Sequence, residues 1–338
     1  MKRPLCALAA VCCAGWMPPL SAAEADPARF VTPKVQDAVA KALAYLRRTQ
    51  NSDGSWGSSS YGRHPAITAL GAMAMMAQGN LPGRGKYGKN VKRAIEFLMK
   101  SVDPRTGYIG GQGHGQMYGH GFAALCLAEA YGAMPSNELR KKLRLAVKCI
   151  LRSQKADGGW RYDPSPHGSS DLSLTICQVM ALRAANNAGI KVGKNTILRA
   201  VKYTKRSANA DGGFRYMLNS GGSSFALTGA GVTTLFGAGE YDCKEAKKGL
   251  EYLKKYLART RGQGRYGHYF YGHYYAAQAM YQAGGAYWAF WYPRVRDDLL
   301  RTQLGDGSWP SHVGRTYGAA MGALVLQVPY DYLPIFQR

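Results

Sequence analysis

Two kinds of helical pattern alternate along the chain. In Lys34 to Gln50 the apolar residues Val35, Ala38, Val39, Ala42, Leu43 and Leu46 recur at helical spacing and make one face. Asn137 to Gln154 repeats this with Leu139, Leu143, Val147, Ile150 and Leu151, while Arg140, Lys141, Arg144, Lys148 and Arg152 fill the other face. Comparable one-faced helices are predicted at about 89–101, 195–207, 244–260 and 294–303. The second kind is apolar on nearly all sides, over about 65–78, 118–131, 172–188, 225–238, 273–283 and 316–327. A helix without a polar face must be covered on both sides, and the many Ala and Gly residues of these segments permit close helix approach.

A short turn joins each one-faced helix to the apolar helix that follows. Gln50-Asn-Ser-Asp53-Gly54-Ser-Trp56, Gln154-Lys-Ala-Asp157-Gly158-Gly-Trp160 and Gln303-Leu-Gly-Asp306-Gly307-Ser-Trp309 are nearly one sentence written three times. Asp211-Gly212-Gly213-Phe214 lacks the Gln, and Thr106-Gly107-Tyr108 and Gly264-Arg265-Tyr266 are weaker copies. The turn aromatics stand at 56, 108, 160, 214, 266 and 309, a period of about fifty residues. Asp can bond its own backbone, Gly supplies a positive φ, and the aromatic buries a large surface beside the turn.

Six copies of one-faced helix, turn and all-round-apolar helix predict an all-α (α/α)6 toroid, with six inner helices inside six outer ones. A linear solenoid is the alternative, but it would expose the Ala/Met/Leu-rich inner row along a concave surface. Pro and Gly recur at the turns rather than clustering, so residues 26–338 read as one toroid domain.

The first 25 residues read as a secretory signal. Lys2 and Arg3 precede an apolar run from Leu5 to Trp16, then come Pro18, Pro19 and small residues up to Ala25. The protein is therefore expected to be exported, periplasmic or secreted, with no transmembrane segment after signal removal. Four cysteines remain, Cys126, Cys149, Cys177 and Cys243; no CxxC is present and no pairing can be read. The 338 residues carry 44 Lys and Arg against 20 Asp and Glu, so anionic partners are favoured. The basic outer faces are suited to anionic envelope material or to simple solvation. Nucleic acid is disfavoured by export and by the lack of a reading module.

All seven histidines, His64, His114, His120, His167, His268, His273 and His312, fall between a turn aromatic and the first turn of the next inner helix. In a toroid that phase maps to one mouth, where six inner-helix N-termini also converge. Tyr118, Asp171, Tyr271, Arg315 and Tyr317 share it. The candidates for chemistry are Asp171, His120, His273, Tyr118 and Tyr271. The candidates for ligand binding are His64, His114, His268, His312, Arg315 and Tyr317. Asp171 is also placed to cap the helix that opens at Leu172. No metal and no cofactor are expected, because carboxylates do not stand at ligand spacing beside the histidines.

The QxxDG[SG]W turns resemble the QW motif of the squalene–hopene and oxidosqualene cyclases, a repeat that protein prenyltransferase β subunits share in degenerate form. The likeness covers essentially the whole mature chain and implies the terpenoid-cyclase/prenyltransferase toroid. The tail after Gly314 is similar to the ending of exported bacterial proteins bearing this repeat. Class II cyclases protonate substrate with the middle Asp of DxDD; the best match is Asp171-Leu172-Ser173-Leu174-Thr175, with Ser173 at the donor position. The resemblance puts His273 where a prenyltransferase zinc ligand stands, without the matching Asp and Cys near Ser223 to Thr228. Three functions stay open: a toroid binding an apolar or isoprenoid-like ligand with an anionic head, a terpenoid cyclase or prenyl-group enzyme using Asp171 as a non-standard acid, and a lyase acting on an acidic polysaccharide through Tyr, His and Arg.

Overall fold

The computed structural model describes residues 27–58, 61–110, 116–260 and 268–337. The predicted leader, His114 and the turn at Gly264–Tyr266 lie outside them. Twelve α-helices alternate along the described residues: α1 (Pro33–Thr49), α2 (Pro65–Met76), α3 (Gly88–Lys100), α4 (Gln116–Ala133), α5 (Asn137–Arg152), α6 (Leu172–Asn187), α7 (Lys194–Arg206), α8 (Phe225–Gly237), α9 (Lys244–Thr260), α10 (Tyr269–Ala283), α11 (Gly285–Thr302) and α12 (Arg315–Gln327). A two-residue hairpin, β1 (Gly57–Ser58) with β2 (Gly62–Arg63), sits in the first turn.

Even-numbered helices pack successively, α2 on α4, then α6, α8, α10 and α12, and α12 packs back on α2. The inner ring is therefore closed, and the open solenoid is excluded. Each odd-numbered helix lies outside the seam between two inner ones; α1 packs on both α12 and α2. The burial follows the hydrophobic pattern. Every residue of α2 is buried, whereas α1 buries only Val35, Ala38, Val39, Ala42, Leu43 and Leu46.

The repeated turn is a clamp between neighbouring repeats. Gln50 Nε2 donates to Gly54 O within its own turn (2.9 Å) and to Asn90 O on α3 (3.0 Å). Gln154 does the same with Gly158 O and Thr196 O, and Gln303 with Gly307 O and Ala38 O. The last of these joins the sixth repeat to the first. Each Trp buries its ring and donates Nε1–H to a carbonyl ten residues earlier: Trp56 to Leu46, Trp160 to Ile150 and Trp309 to Leu299, all at 2.8–2.9 Å. The aromatic's own amide is caught by a Thr of the inner helix, as in Trp160 N to Thr175 Oγ1 (3.1 Å) and Phe214 N to Thr228 Oγ1 (3.0 Å). Gly54, Gly158 and Gly307 have φ near +90 to +105°, and a Cβ there would lie 2.3–2.4 Å from a carbonyl oxygen of the next outer helix.

Two boundaries depart from the sequence reading. Helix α10 begins at Tyr269 rather than His273. Helix α11 begins at Gly285 rather than Arg294 and carries Pro293 inside it. Its first turns are held by burial of Trp288, Trp291 and Tyr292, which outweighs the helix-stopping tendency of proline.

The two ends of the inner ring differ. Long turn segments enter the inner helices at one end. At the other the C-terminal tail folds across the lumen, with Leu333, Ile335 and Phe336 buried. Arg183 Nη2 donates to Gln337 O (2.6 Å), Gln282 Nε2 reaches Phe336 O, and Tyr274 packs against the Phe336 ring at 6.3 Å.

Candidate functional site

A cavity of about 880 Å³ occupies the inner ring at the end where the inner helices begin. Its wall is built from the first turns of those helices: Ile67 and Leu70 on α2, Tyr118 and Phe122 on α4, Leu227 on α8 and Tyr271 on α10. Trp309 and the 310–313 segment complete one side. Among the described residues no Lys, Arg, Asp or Glu lines it. The described residues of a strongly positive chain thus present hydroxyls and imidazoles as the polar groups of the chamber.

One wall carries a hydrogen-bond relay. Tyr118 Oη donates to Ser173 Oγ (2.6 Å), and Ser173 Oγ donates to Asp171 Oδ1 (2.6 Å). Asp171 caps α6, its Oδ1 accepting Leu174 N at 2.9 Å, while its Oδ2 accepts the Tyr216 hydroxyl at 3.3 Å. Tyr162 and Tyr216 share a hydrogen bond of 2.8 Å, and the Tyr271 hydroxyl donates to Ser173 O. Burial raises the Asp171 carboxyl above its ordinary value, opposed by the Ser173, Leu174 and Tyr216 donors. Burial likewise lifts the Tyr118 and Tyr271 phenols well above theirs. Asp171 is fully buried and does not line the cavity; Ser173 does, and stands between the two.

The expected gathering of histidines is only partly what the structure has. His64, His268 and His312 line the cavity, as do Tyr118, Tyr271 and Tyr317. His64 also caps α2 by accepting Ala66 N, and burial lowers its pKa. His268 and His312 stand edge to face at 5.9 Å, and His312 is lowered by burial and by its neighbour His268. His120 and His273 lie instead in the wall. His120 Nδ1 accepts Ile109 N and Nε2 faces Ala146 O, so both ring nitrogens are bound to backbone; burial lowers its pKa to about 4. His273 is packed among Tyr269, Phe225 and Trp291, with Nδ1 unpartnered and burial lowering its pKa to about 3. Residues 120 and 273 each follow a cavity tyrosine by two positions, about 200° around the helix, which turns them away from the lumen. Arg315 is exposed and pairs with Asp306 at 3.3 Å rather than lining the cavity. His167 is exposed, its carbonyl accepting Lys155 Nζ at 2.5 Å.

The sequence reading does not single out Tyr162, Tyr216 and Phe122, and it takes Ser173 only as the residue at the donor position of the DxDD match. A signal for two of them exists: Trp160-Arg-Tyr162 and Phe214-Arg-Tyr216 place a tyrosine two residues after the turn aromatic in consecutive repeats.

Comparison with known proteins places the architecture. Residues 64–215 match the squalene-hopene cyclase C-terminal domain family. The type II terpene cyclase MstE from Scytonema superposes with a TM-score of 0.64 at 14% identity, over 89% of this chain and 100% of that one. The fold is that of an alpha-alpha toroid. MstE in complex with its substrate, geranylgeranyl dihydroxybenzoate, gives 0.60 at 14% identity over 89% and 98% of the two chains. An α-1,6-mannanase of family GH76 from Salegentibacter, in complex with α-1,6-mannotriose, gives 0.63 at 9% identity over 87% and 98%. None of the curated proteins matches this chain.

Within this toroid the geometry favours enclosure of an apolar body. A volume of about 880 Å³ lies inside the range of roughly 300–1,000 Å³ common for small-molecule pockets. That mannanase is an inactive variant altered at two aspartates. In this chain no pair of carboxylates faces the lumen among the described residues, as two-carboxylate glycoside hydrolysis requires. Among the described residues, too, no group of three His, Cys, Asp or Glu side chains is placed to hold a metal ion, and no helix is long and apolar enough to cross a membrane.

Proposed function

We propose that this chain is an exported toroid whose central cavity binds an apolar, isoprenoid-like molecule, with the ligand's polar head at the His64–His268–His312 rim. One observation carries this reading: the cavity is large, aromatic-walled and free of charged side chains among the described residues. Among the described residues an anionic head would meet imidazoles and helix N-termini there rather than Lys or Arg, since Arg315 is engaged outside. Burial of an extended isoprenoid against these walls contributes about 25 cal/mol per Å² of apolar area removed from water. Support also comes from the likeness to a cyclase held with a geranylgeranyl compound.

The test is titration of the full chain with geranylgeraniol, followed by tryptophan fluorescence, since Trp309 lines the cavity. Saturable quenching is expected in the wild type and weakened binding in Ala226→Trp, which adds an indole at the cavity wall. Binding of mannotriose but not geranylgeraniol would overturn the reading.

A second reading, turnover of an isoprenoid in the same chamber, is favoured by Ser173 linking the cavity to Asp171. Here Ser173 would pass the Asp171 proton to a substrate alkene. Against it, Asp171 accepts three hydrogen bonds and its raised pKa makes it a weaker acid than alkene protonation asks for. Asp171→Asn keeps the helix cap and removes the proton. Product formed by the wild type and not by this variant would establish turnover; no product from either leaves binding as the function. The lyase reading has less support, because among the described residues the lumen offers no Lys or Arg for a uronate carboxylate.

A further inference from the structure

We propose that the outer arc formed by α5, α7 and α9 is a docking surface for a linear acidic glycan. The inference uses none of the cavity's chemistry. These helices carry six, five and six Lys or Arg against one, none and two acids, whereas α1, α3 and α11 carry four, four and three against one, one and two. The charge on the outer ring is therefore lopsided. The three helices are consecutive around the ring and are tied together: Gln154, two residues after α5, donates to Thr196 O on α7, and Gly212 after α7 packs against Lys248 O on α9.

Few of these cations are neutralised. Lys205 pairs with Glu240 and Lys247 with Asp242. Arg140, Arg144 and Lys148 on α5, Lys202 and Arg206 on α7, and Lys255 on α9 are exposed and have no hydrogen-bond or ion-pair partner among the described residues. Rows of unpaired like charge raise the local concentration of a polyanion and make its binding steeply salt-dependent.

The shape and surface chemistry select among polyanions. The arc is convex, so a flat bilayer meets one helix at a time, whereas a flexible chain can follow all three. Leu198 is the single large apolar side chain exposed on these helices, too little for interfacial insertion. No aromatic ring is exposed on them, so base stacking, on which single-stranded nucleic-acid binding relies, has no platform. A linear glycan bearing carboxylates or sulfates, recognised through charge, fits what remains.

The test uses the full chain on immobilised heparin, with alginate, a linear polyuronate, as soluble competitor. Arg140→Glu/Arg144→Glu/Lys148→Glu is compared with Lys34→Glu/Lys41→Glu/Arg47→Glu, which makes the same charge change on α1. The α5 variant is expected to lose at least ~10-fold in affinity, and its log K against log salt slope to fall by about 2 to 3. The α1 variant is expected to lose less than ~3-fold, as counterion release follows the contacts made. Lys202→Gln/Arg206→Gln, with thermal melting as a folding control, provides a milder pair. Equal losses in the α5 and α1 variants, or tighter binding to phosphatidylglycerol vesicles or single-stranded DNA than to alginate, would overturn the proposal.

Discussion

The two ends of the inner ring are made from the same helices and have opposite character. At the mouth, inner helices begin with side-chain caps at His64, Asp171 and Ser224, and hydroxyls and aromatic rings surround an 880 Å³ space. At the far end they stop in short glycine turns, and residues 328–337 fill the opening. Between them runs an aromatic column, Phe122 to Tyr274 at 6.1 Å and Tyr274 to Phe336 at 6.3 Å. One tyrosine ring thus separates the cavity floor from the tail. A closed double ring with both ends open would be a tube; this tail makes it a cup whose open end carries His64, His268 and His312.

The largest expected effect breaks the seal. Phe336→Ala should lower unfolding free energy by about 3–5 kcal/mol, because the ring is fully buried and packs against Tyr274 of α10. Tyr162→Ala at the mouth removes a ring that is 40% exposed and should cost under about 1 kcal/mol. Urea unfolding of both variants checks the contrast, and equal losses would contradict the assignment of the tail as the structural plug.

That asymmetry was only half written in the local sequence. The six-fold repeat, the closed ring and the burial of the inner helices follow from spacing and composition, which act over a few turns. The wall positions needed helical phase: Tyr118 and Phe122 are four apart and face the lumen, while His120 between them faces α5. Reading histidines as a group, without that phase, put His120 and His273 at the mouth. The plug has no local signature, because Ile335 and Phe336 find their partners on helices more than fifty residues away. Arg315 was misplaced because Asp306, also a turn residue, stands close enough to hold it outside.

The ends should also titrate in opposite senses. At the sealed end burial lifts Glu129 to about 7, with the Ile335 amide and Arg183 opposing it; Cys126 and Tyr274 are its other titratable neighbours. The unfolded carboxyl ionises near 4.5, so the folded chain holds a proton that the unfolded one has lost between pH 4.5 and 7. Its contribution is complete below pH 4.5 and is lost as pH rises to about 7, a change on the order of 3 kcal/mol. Near the mouth, His120 and His273 are lowered by burial to about 4 and 3 from 6.5. Their contribution is present above pH 6.5 and is lost as pH falls toward those values. Glu129→Gln should abolish the loss between pH 4.5 and 7 while leaving the acid-side loss in place. A stability profile unchanged by the substitution would refute the Glu129 assignment.

Glycines sharpen the comparison at smaller cost. Gly307 at the mouth and Gly189 at the far end have φ of +90° and +82°. A Cβ on Gly307 would lie 2.3 Å from Lys41 O, whereas one on Gly189 meets nothing within 4 Å. Both substitutions to Ala carry left-handed backbone strain of about 1 kcal/mol. Gly307→Ala must also push the sixth repeat from the first, so a total of about 2–3 kcal/mol is expected. Thermal melts in which Gly189→Ala costs as much would mean that the turn does not clamp the ring.

The smallest effect distinguishes a wall built for shape from one built for chemistry. Ser173→Ala removes the donor to Asp171 Oδ1 and the acceptor of the Tyr118 hydroxyl, leaving Leu174 N and Tyr216 on the carboxylate. Loss of these hydrogen bonds should cost about 1 kcal/mol, since Tyr118 lines the cavity and can turn its hydroxyl to solvent there. Geranylgeraniol binding should change by less than ~3-fold, because the added contact is apolar and hydrophobic burial is nearly preserved. A loss of ~30-fold or more, restored by Ser173→Thr, would show that the hydroxyl itself reads a polar group of the ligand. The ligand's head would then lie deep against α6 rather than at the histidine rim, and the orientation proposed above would reverse.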